Sequence, residues 1–160
     1  MEIEMRTLML AAPALFALAI AQDDSKAKAE HIVVAPEDVK WGDAPPSLPP
    51  GAKLAVIEGD PKKEGYFMMR LKVPAGYKIP PHFHPQPERV TVISGKFCVG
   101  FGDTFDETKT KALPAGSYFS FIPKSHHFAH AAEETVLQLS TIGPWDLTYV
   151  NPADDPRTKK

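Results

Sequence analysis

The chain has 160 residues, of which 43% are hydrophobic and 24% charged, the length and texture of about one globular domain rather than a disordered segment. Eighteen basic against twenty acidic residues give a formal charge of −2 with no run of Lys or Arg, which removes the electrostatic basis for nucleic-acid or anionic-membrane binding. Prolines number 17, about twice the ordinary ~5%, and so frequent a loss of backbone donors excludes a helical bundle.

Residues 8–20 are apolar, follow Arg6 and lead into Ala19-Ile20-Ala21. A bilayer span needs about 20 apolar residues, so this shorter run predicts a secretory signal peptide over residues 1–21, cleaved after Ala21. The expected destination is the periplasm or the exterior, with no stable membrane association after cleavage. The single Cys98 excludes an intrachain disulfide and a cysteine-based zinc cluster. An exported domain without a disulfide must rely on a packed core, helped by a metal or a partner subunit.

Residues 22–51 read as an N-terminal linker and arm: a polar stretch, an edge strand over 31–34, a short turn or strand over 36–41, and a proline-rich extended segment over 45–51. Residues 52–150 form the expected main domain, and 151–160 a tail. Within that domain, segments 53–58, 66–73, 89–93, 96–101, 118–122, 135–141 and 147–150 have strand composition and are separated by Gly, Pro and Asp turns. Short strands at this spacing predict an all-β sandwich, barrel or jelly roll. In the second segment, Phe67, Met69 and Leu71 share one face, with Tyr66, Met68, Arg70 and Lys72 on the other.

The chemistry concentrates after Gly76, where His82, Phe83 and His84 are followed by Glu88. In an extended strand, residues two apart share a face, so both imidazoles aim at one point. Pro85 and Pro87 supply the turn that brings Glu88 back to them. Two imidazoles and a carboxylate suit one divalent first-row transition metal, namely iron, manganese, nickel, copper or zinc.

Gly76, His82, His84, Glu88 and Gly95 reproduce the first motif of the cupin superfamily: glycine, five residues, His-x-His, three residues, glutamate, six residues, glycine. The segment also resembles the zinc-binding cupin domains of anti-sigma factors, and the stretch after Gly143 is similar to the ends of small exported bacterial cupins. The resemblance covers residues 52–150 and implies a jelly-roll barrel of two antiparallel sheets, the double-stranded β-helix, holding a metal inside its mouth. In the family's second motif the histidine stands eleven positions after a glycine, which from Gly116 points to His127 as the fourth ligand. Pro123 falls one position late, Ser125 replaces a turn glycine and Ala131 stands where asparagine is usual, so His126 is the alternative in a shifted register.

The resemblance carries two functional expectations. One is a metal-dependent enzyme with dioxygenase-like chemistry on a small oxygen-bearing substrate, in which Glu88 acts as a base and His130 or Gln138 orients the substrate or carries a proton. The other is a non-catalytic module with a structural metal. Arg70 is read either as an anchor for a substrate carboxylate inside the barrel or as part of a wet outer face. Cys98 is read as a buried small hydrophobe, Trp41 and Trp145 as packing residues. The arm over residues 32–50 is extended enough to cross onto a neighbour, which predicts a homodimer.

Overall fold

The computed structural model describes residues 31–159; the expected signal peptide and most of the polar linker lie outside them. Among the described residues the regular structure is all β, with single 3-10 turns and no α-helix. In chain order the strands are β1 (Gly42–Asp43), β2 (Lys53–Glu58), β3 (Gly65–Val73), β4 (Lys78–Phe83), β5 (Glu88–Ser94) and β6 (Lys96–Phe101), then β7 (Lys111–Pro114), β8 (Tyr118–Phe121), β9 (His127–Ala131), β10 (Thr135–Gly143) and β11 (Thr148–Tyr149). They build two antiparallel sheets, ordered β1-β2-β3-β10-β5-β8 and β11-β4-β9-β6-β7, the jelly roll that the sequence predicts.

Period-two burial assigns the faces. Phe67, Met69, Leu71 and Val73 of β3 point inward, as do Leu137 and Leu139 of β10, while Met68, Arg70 and Lys72 lie on the outer face. β3 and β10 pair without a break from Val73 opposite Thr135 to Gly65 opposite Gly143, so their inward residues form one continuous wall. Val90 and Val92 extend that wall from β5, and Phe97, Val99 and Ala129 meet it from the other sheet. Each large apolar side chain enclosed this way contributes roughly 1.5–3 kcal/mol relative to exposure. Gly95 turns the chain from one sheet to the other with φ of 79°, and a Cβ there would strike Thr135 and the Glu134 carbonyl.

The strands read from composition lie within a residue or two of those found. The edge strand expected over residues 31–34 is absent: Ile32 and Val33 are exposed at 53% and 89%, with no neighbouring strand to bind them. The segment 36–41 opens instead with a 3-10 turn at Pro36–Asp38. β1, β4, β7 and β9 add to the segments of strand composition, with β4 covering the extended stretch already implied by the spacing of His82 and His84. β4 contains Pro80 and Pro81, which lack backbone donors, and its pairing with β9 shifts register between Ile79 and His82 to accommodate them.

The proline-rich arm lies on its own barrel. Leu48 enters the core cluster, Tyr77 Oη donates to Pro49 O at 2.6 Å and Tyr149 Oη donates to Ser47 O at 2.8 Å. Burial raises the pKa of both phenols, so each stays a protonated donor.

Candidate metal centre

Two strand residues and one just past a strand end converge at the barrel mouth. His82 lies in β4 directly opposite His127 of β9, and His84, two residues on, shares the face of His82. The ring centroids are 4.3 Å apart for His82 and His127, 5.1 Å for His82 and His84, and 5.3 Å for His84 and His127. One ligand nitrogen from each lies within 4.8 Å of the others, and all three residues are buried.

The backbone fixes the tautomer of each ring. His82 Nδ1 lies 2.7 Å from Pro80 O, His84 Nδ1 2.9 Å from Asp146 O, and His127 Nδ1 2.8 Å from Ser125 O. A carbonyl oxygen can only accept, so Nδ1 carries the proton and Nε2 presents a bare lone pair. Among the described residues, His127 Nε2 is the one buried side-chain nitrogen or oxygen without a hydrogen-bond partner. Burial, with the neighbouring imidazoles adding to it, pushes the pKa of His82 well below its usual value; burial alone dominates for His127, which falls to about 3. Neutral, oriented imidazoles with a partnerless nitrogen among them are the donor set a divalent metal takes.

Glu88 opens β5 and is buried beside the triad without belonging to it. Its Oε2 stands 3.5 Å from His84 Nε2, and its Oε1 accepts the Trp145 indole N–H at 3.1 Å. Trp145 also stacks on His84, with centroids 5.8 Å apart and planes at 23°. On the far side Phe121 stacks on His127 at 3.6 Å and 14°. The pocket that these residues line measures about 40 Å³, with Leu71, Val90, Phe119 and Leu139 among its apolar walls. One water needs roughly 10–15 Å³, so the space has room for an ion with water beside it.

Several residues singled out in the sequence lie elsewhere. His130 is absent from the cavity wall, because alternation along β9 sends His127 and Ala129 inward and His130 outward. There its Nε2 lies 3.3 Å from Thr110 Oγ1, near the Phe105 ring. His126 precedes β9 and faces solvent, where its Nδ1 meets Asp103 Oδ1 at 2.6 Å. Gln138 and Arg70 also belong to the outer face, paired across β10 and β3 by Arg70 Nε donating to Gln138 Oε1 at 3.1 Å. Cys98 is a buried free thiol whose pKa is raised by burial, directly across from His130. The residue that composition undervalued is Trp145.

Two antiparallel sheets rolled around a mouth that holds three inward histidines define a cupin. A family profile described as "Domain of unknown function (DUF4437)" matches residues 7–147, and the chain belongs to that family. Among curated proteins, germin-like protein 3-1 of Oryza sativa subsp. japonica is 38% identical over 68 residues, covering 42% of this chain and 30% of that protein. Germin-like protein subfamily 1 member 1 of Arabidopsis thaliana is 34% identical over 89 residues, covering 55% of this chain and 40% of that protein. The chain thus matches well under half the length of these relatives. Among solved structures, the polyketide cyclase RemF from Streptomyces resistomycificus superposes with a TM-score of 0.64 at 16% identity, covering 79% of this chain and 90% of that one. A candidate acetylacetone dioxygenase from Methylibium petroleiphilum PM1 gives 0.61 at 20% identity, covering 82% and 88%. An RmlC-like cupin from Shewanella frigidimarina NCIMB 400 gives 0.54 at 20% identity, covering 71% and 91%. At such identities the likeness is one of fold.

Proposed function

We propose that this cupin holds one divalent first-row metal through His82, His84 and His127 and acts as a metal-dependent enzyme on a small oxygen-bearing substrate, with dioxygenase-like chemistry. The observation that carries the reading is the set of three backbone-locked imidazoles with His127 Nε2 left without a partner. An ion bound there would supply Lewis acidity and, if iron, manganese, nickel or copper, redox chemistry as well; zinc would supply the first alone. The chain's own residues do the rest. The carbonyls of Pro80, Asp146 and Ser125 hold the imidazoles in place, and Glu88, beside His84, is positioned to accept a proton from a bound substrate. Phe121, Phe119 and Leu139 exclude bulk water, which strengthens every electrostatic contact inside. The dioxygenase assignment of one structural neighbour is consistent with this chemistry.

Metal analysis after offering iron, manganese, nickel, copper and zinc in turn, followed by aerobic turnover of enolic and phenolic substrates, tests the proposal. Turnover that requires one metal and disappears in His82→Ala supports it. Uptake below about a tenth of an ion per chain refutes the metal site.

The small size of the pocket supports a second reading, a non-catalytic module with a structural ion. Azide added to the metal-loaded protein separates the two: a changed metal spectrum reports an open position, an unchanged one a closed site. We further propose that the chain is exported and homodimeric, binding a small molecule rather than nucleic acid. N-terminal sequencing of the exported protein and sedimentation check the first two statements.

A further inference from the structure

The alternation of faces in β2 leaves apolar surface that the barrel does not cover. Leu54 and Val56 stand opposite Leu71 and Met69 of β3, so they belong to the inward face of the larger sheet. Leu71 and Met69 are buried, whereas Val56 is 46% exposed. The cause is what stands over this end of β2: irregular chain in place of a strand of the second sheet. On one side the arm at residues 45–47 is held by Tyr149 Oη donating to Ser47 O at 2.8 Å; on the other, the Trp145 main-chain N–H donates at 2.7 Å to Pro61 O in the β2–β3 turn. Between them a groove of about 480 Å³ stays open.

The groove is apolar in its floor and walls. Leu54, Val56 and Met69 line it, and Pro45 and Pro61 beside them have no backbone N–H to offer. Trp145 gives its indole N–H to Glu88 Oε1 at 3.1 Å, so it contributes only ring surface here. Most charge on the rim is neutralised: Asp43 pairs with Lys53 at 2.6 Å, and Asp146 with Arg157 at 3.2 Å. Lys62 is the lining cation without an ion pair among the described residues. Sites for small organic ligands run to about 300–1,000 Å³, mostly apolar with a few polar groups. The groove lies in that range, whereas the metal pocket, at about 40 Å³, does not.

We propose that this groove is a second ligand site, distinct from the metal centre, and that it takes a small organic anion: an apolar body laid on Val56 and Trp145, with a carboxylate or sulfonate toward Lys62. Covering the inward face of β2 removes exposed apolar area from water, which supplies most of the affinity. Lys62 sets the sign of the ligand's charge and adds little strength, because exposed ion pairs are weak. The site requires no metal.

The test titrates 2-naphthoate, with neutral 2-naphthylmethanol as its control, into the chelator-treated full chain, read by calorimetry and by amide chemical shifts. Chelation prevents the carboxylate from binding a metal ion, so failure of the metal-centre reading leaves this outcome untouched. One-to-one binding is expected with a Kd of about 1 mM or tighter, the range open to a ligand of this size, with shifts at Val56, Lys62 and Trp145. Val56→Glu, which sets a carboxylate on the apolar floor, should weaken both probes at least about tenfold. Lys62→Gln should weaken 2-naphthoate about two- to fivefold and leave 2-naphthylmethanol unchanged. No saturable binding, or shifts that lie outside the groove, overturns the proposal; so does an affinity for 2-naphthoate that Lys62→Gln does not change, or that it lowers equally for the neutral control. A wild-type dimer that Val56→Glu converts to monomer in sedimentation places a second copy of the chain on this face and overturns it as well. Should Val56→Glu not fold, the wild-type shifts and Lys62→Gln decide.

Discussion

In the metal-free protein, lowering the pH should destabilise the fold through the triad itself. His127 is neutral in the folded chain, with its pKa pushed down to about 3 chiefly by burial, while the unfolded chain titrates near 6.5. The unfolded state therefore binds the extra proton between these values. The contribution to stability is fully present above about pH 6.5 and is lost as the pH falls toward 3. Between pH 7.5 and 5.0 the unfolded histidine gains its proton almost completely and the folded one scarcely at all, a change of about 1.5 pH units below 6.5 and hence about 2 kcal/mol. His82, also depressed by burial, adds to the loss with the same sign. With a slope of roughly 1–3 kcal/mol per molar urea, the unfolding midpoint should fall by about 0.7–2 M from His127 alone. Urea titrations of the chelator-treated protein at pH 7.5, 6.5, 5.5 and 5.0, at constant ionic strength, measure this directly, and His127→Gln should show a clearly smaller drop. A midpoint independent of pH across this range, or a His127→Gln variant that falls as far as wild type, would refute burial of neutral imidazoles.

Three further outcomes follow from the fold. His127→Ala should abolish stoichiometric metal uptake in equilibrium dialysis while His130→Ala leaves it unchanged, because β9 turns one histidine inward and the other outward. Tyr149→Phe removes the donor to the Ser47 carbonyl within the barrel and should cost roughly 1–3 kcal/mol in chemical unfolding, with a local increase in amide exchange over residues 45–50. Gly95→Ala combines a φ of 79° with a collision against Thr135 at the passage between sheets, and should cost roughly 1–3 kcal/mol or more in the same assay.

The convergence of His82 and His84 was legible because a strand repeats its faces every two residues, and that holds whatever the strand packs against. Finding His127 needed the motif spacing from Gly116, since the sequence alone leaves open which of the adjacent His126 and His127 faces inward. Once His127 faces inward, the same alternation removes His130 from the cavity. Gln138 and Arg70 were undecided for a related reason: alternation groups residues into faces but does not say which face the second sheet covers. Trp145 was illegible because its partner Glu88 lies 57 residues away, and no local pattern links an indole to a carboxylate across that distance. Cys98 illustrates the same limit. The sequence places no histidine near it, yet strand pairing sets it opposite His130.

The prolines show how an apparent handicap becomes part of the site. Pro80 and Pro81 remove two donors from β4, and the strand answers with a register shift between Ile79 and His82. A proline still keeps its carbonyl. Pro80 O accepts the His82 Nδ1 proton at 2.7 Å, Pro81 O accepts from Val150 N at 2.9 Å, and Pro87 O accepts from Thr141 Oγ1 at 2.7 Å, just ahead of Glu88. The arm repeats the arrangement, with Pro49 O accepting from Tyr77 Oη. Each fixed ring also narrows the unfolded ensemble, so less entropy is lost when the histidines assemble. A break in the ladder at Pro80 thus leaves a carbonyl that sets the tautomer of His82, and the imidazole lone pair turned to the cavity follows from a residue that has no N–H to offer.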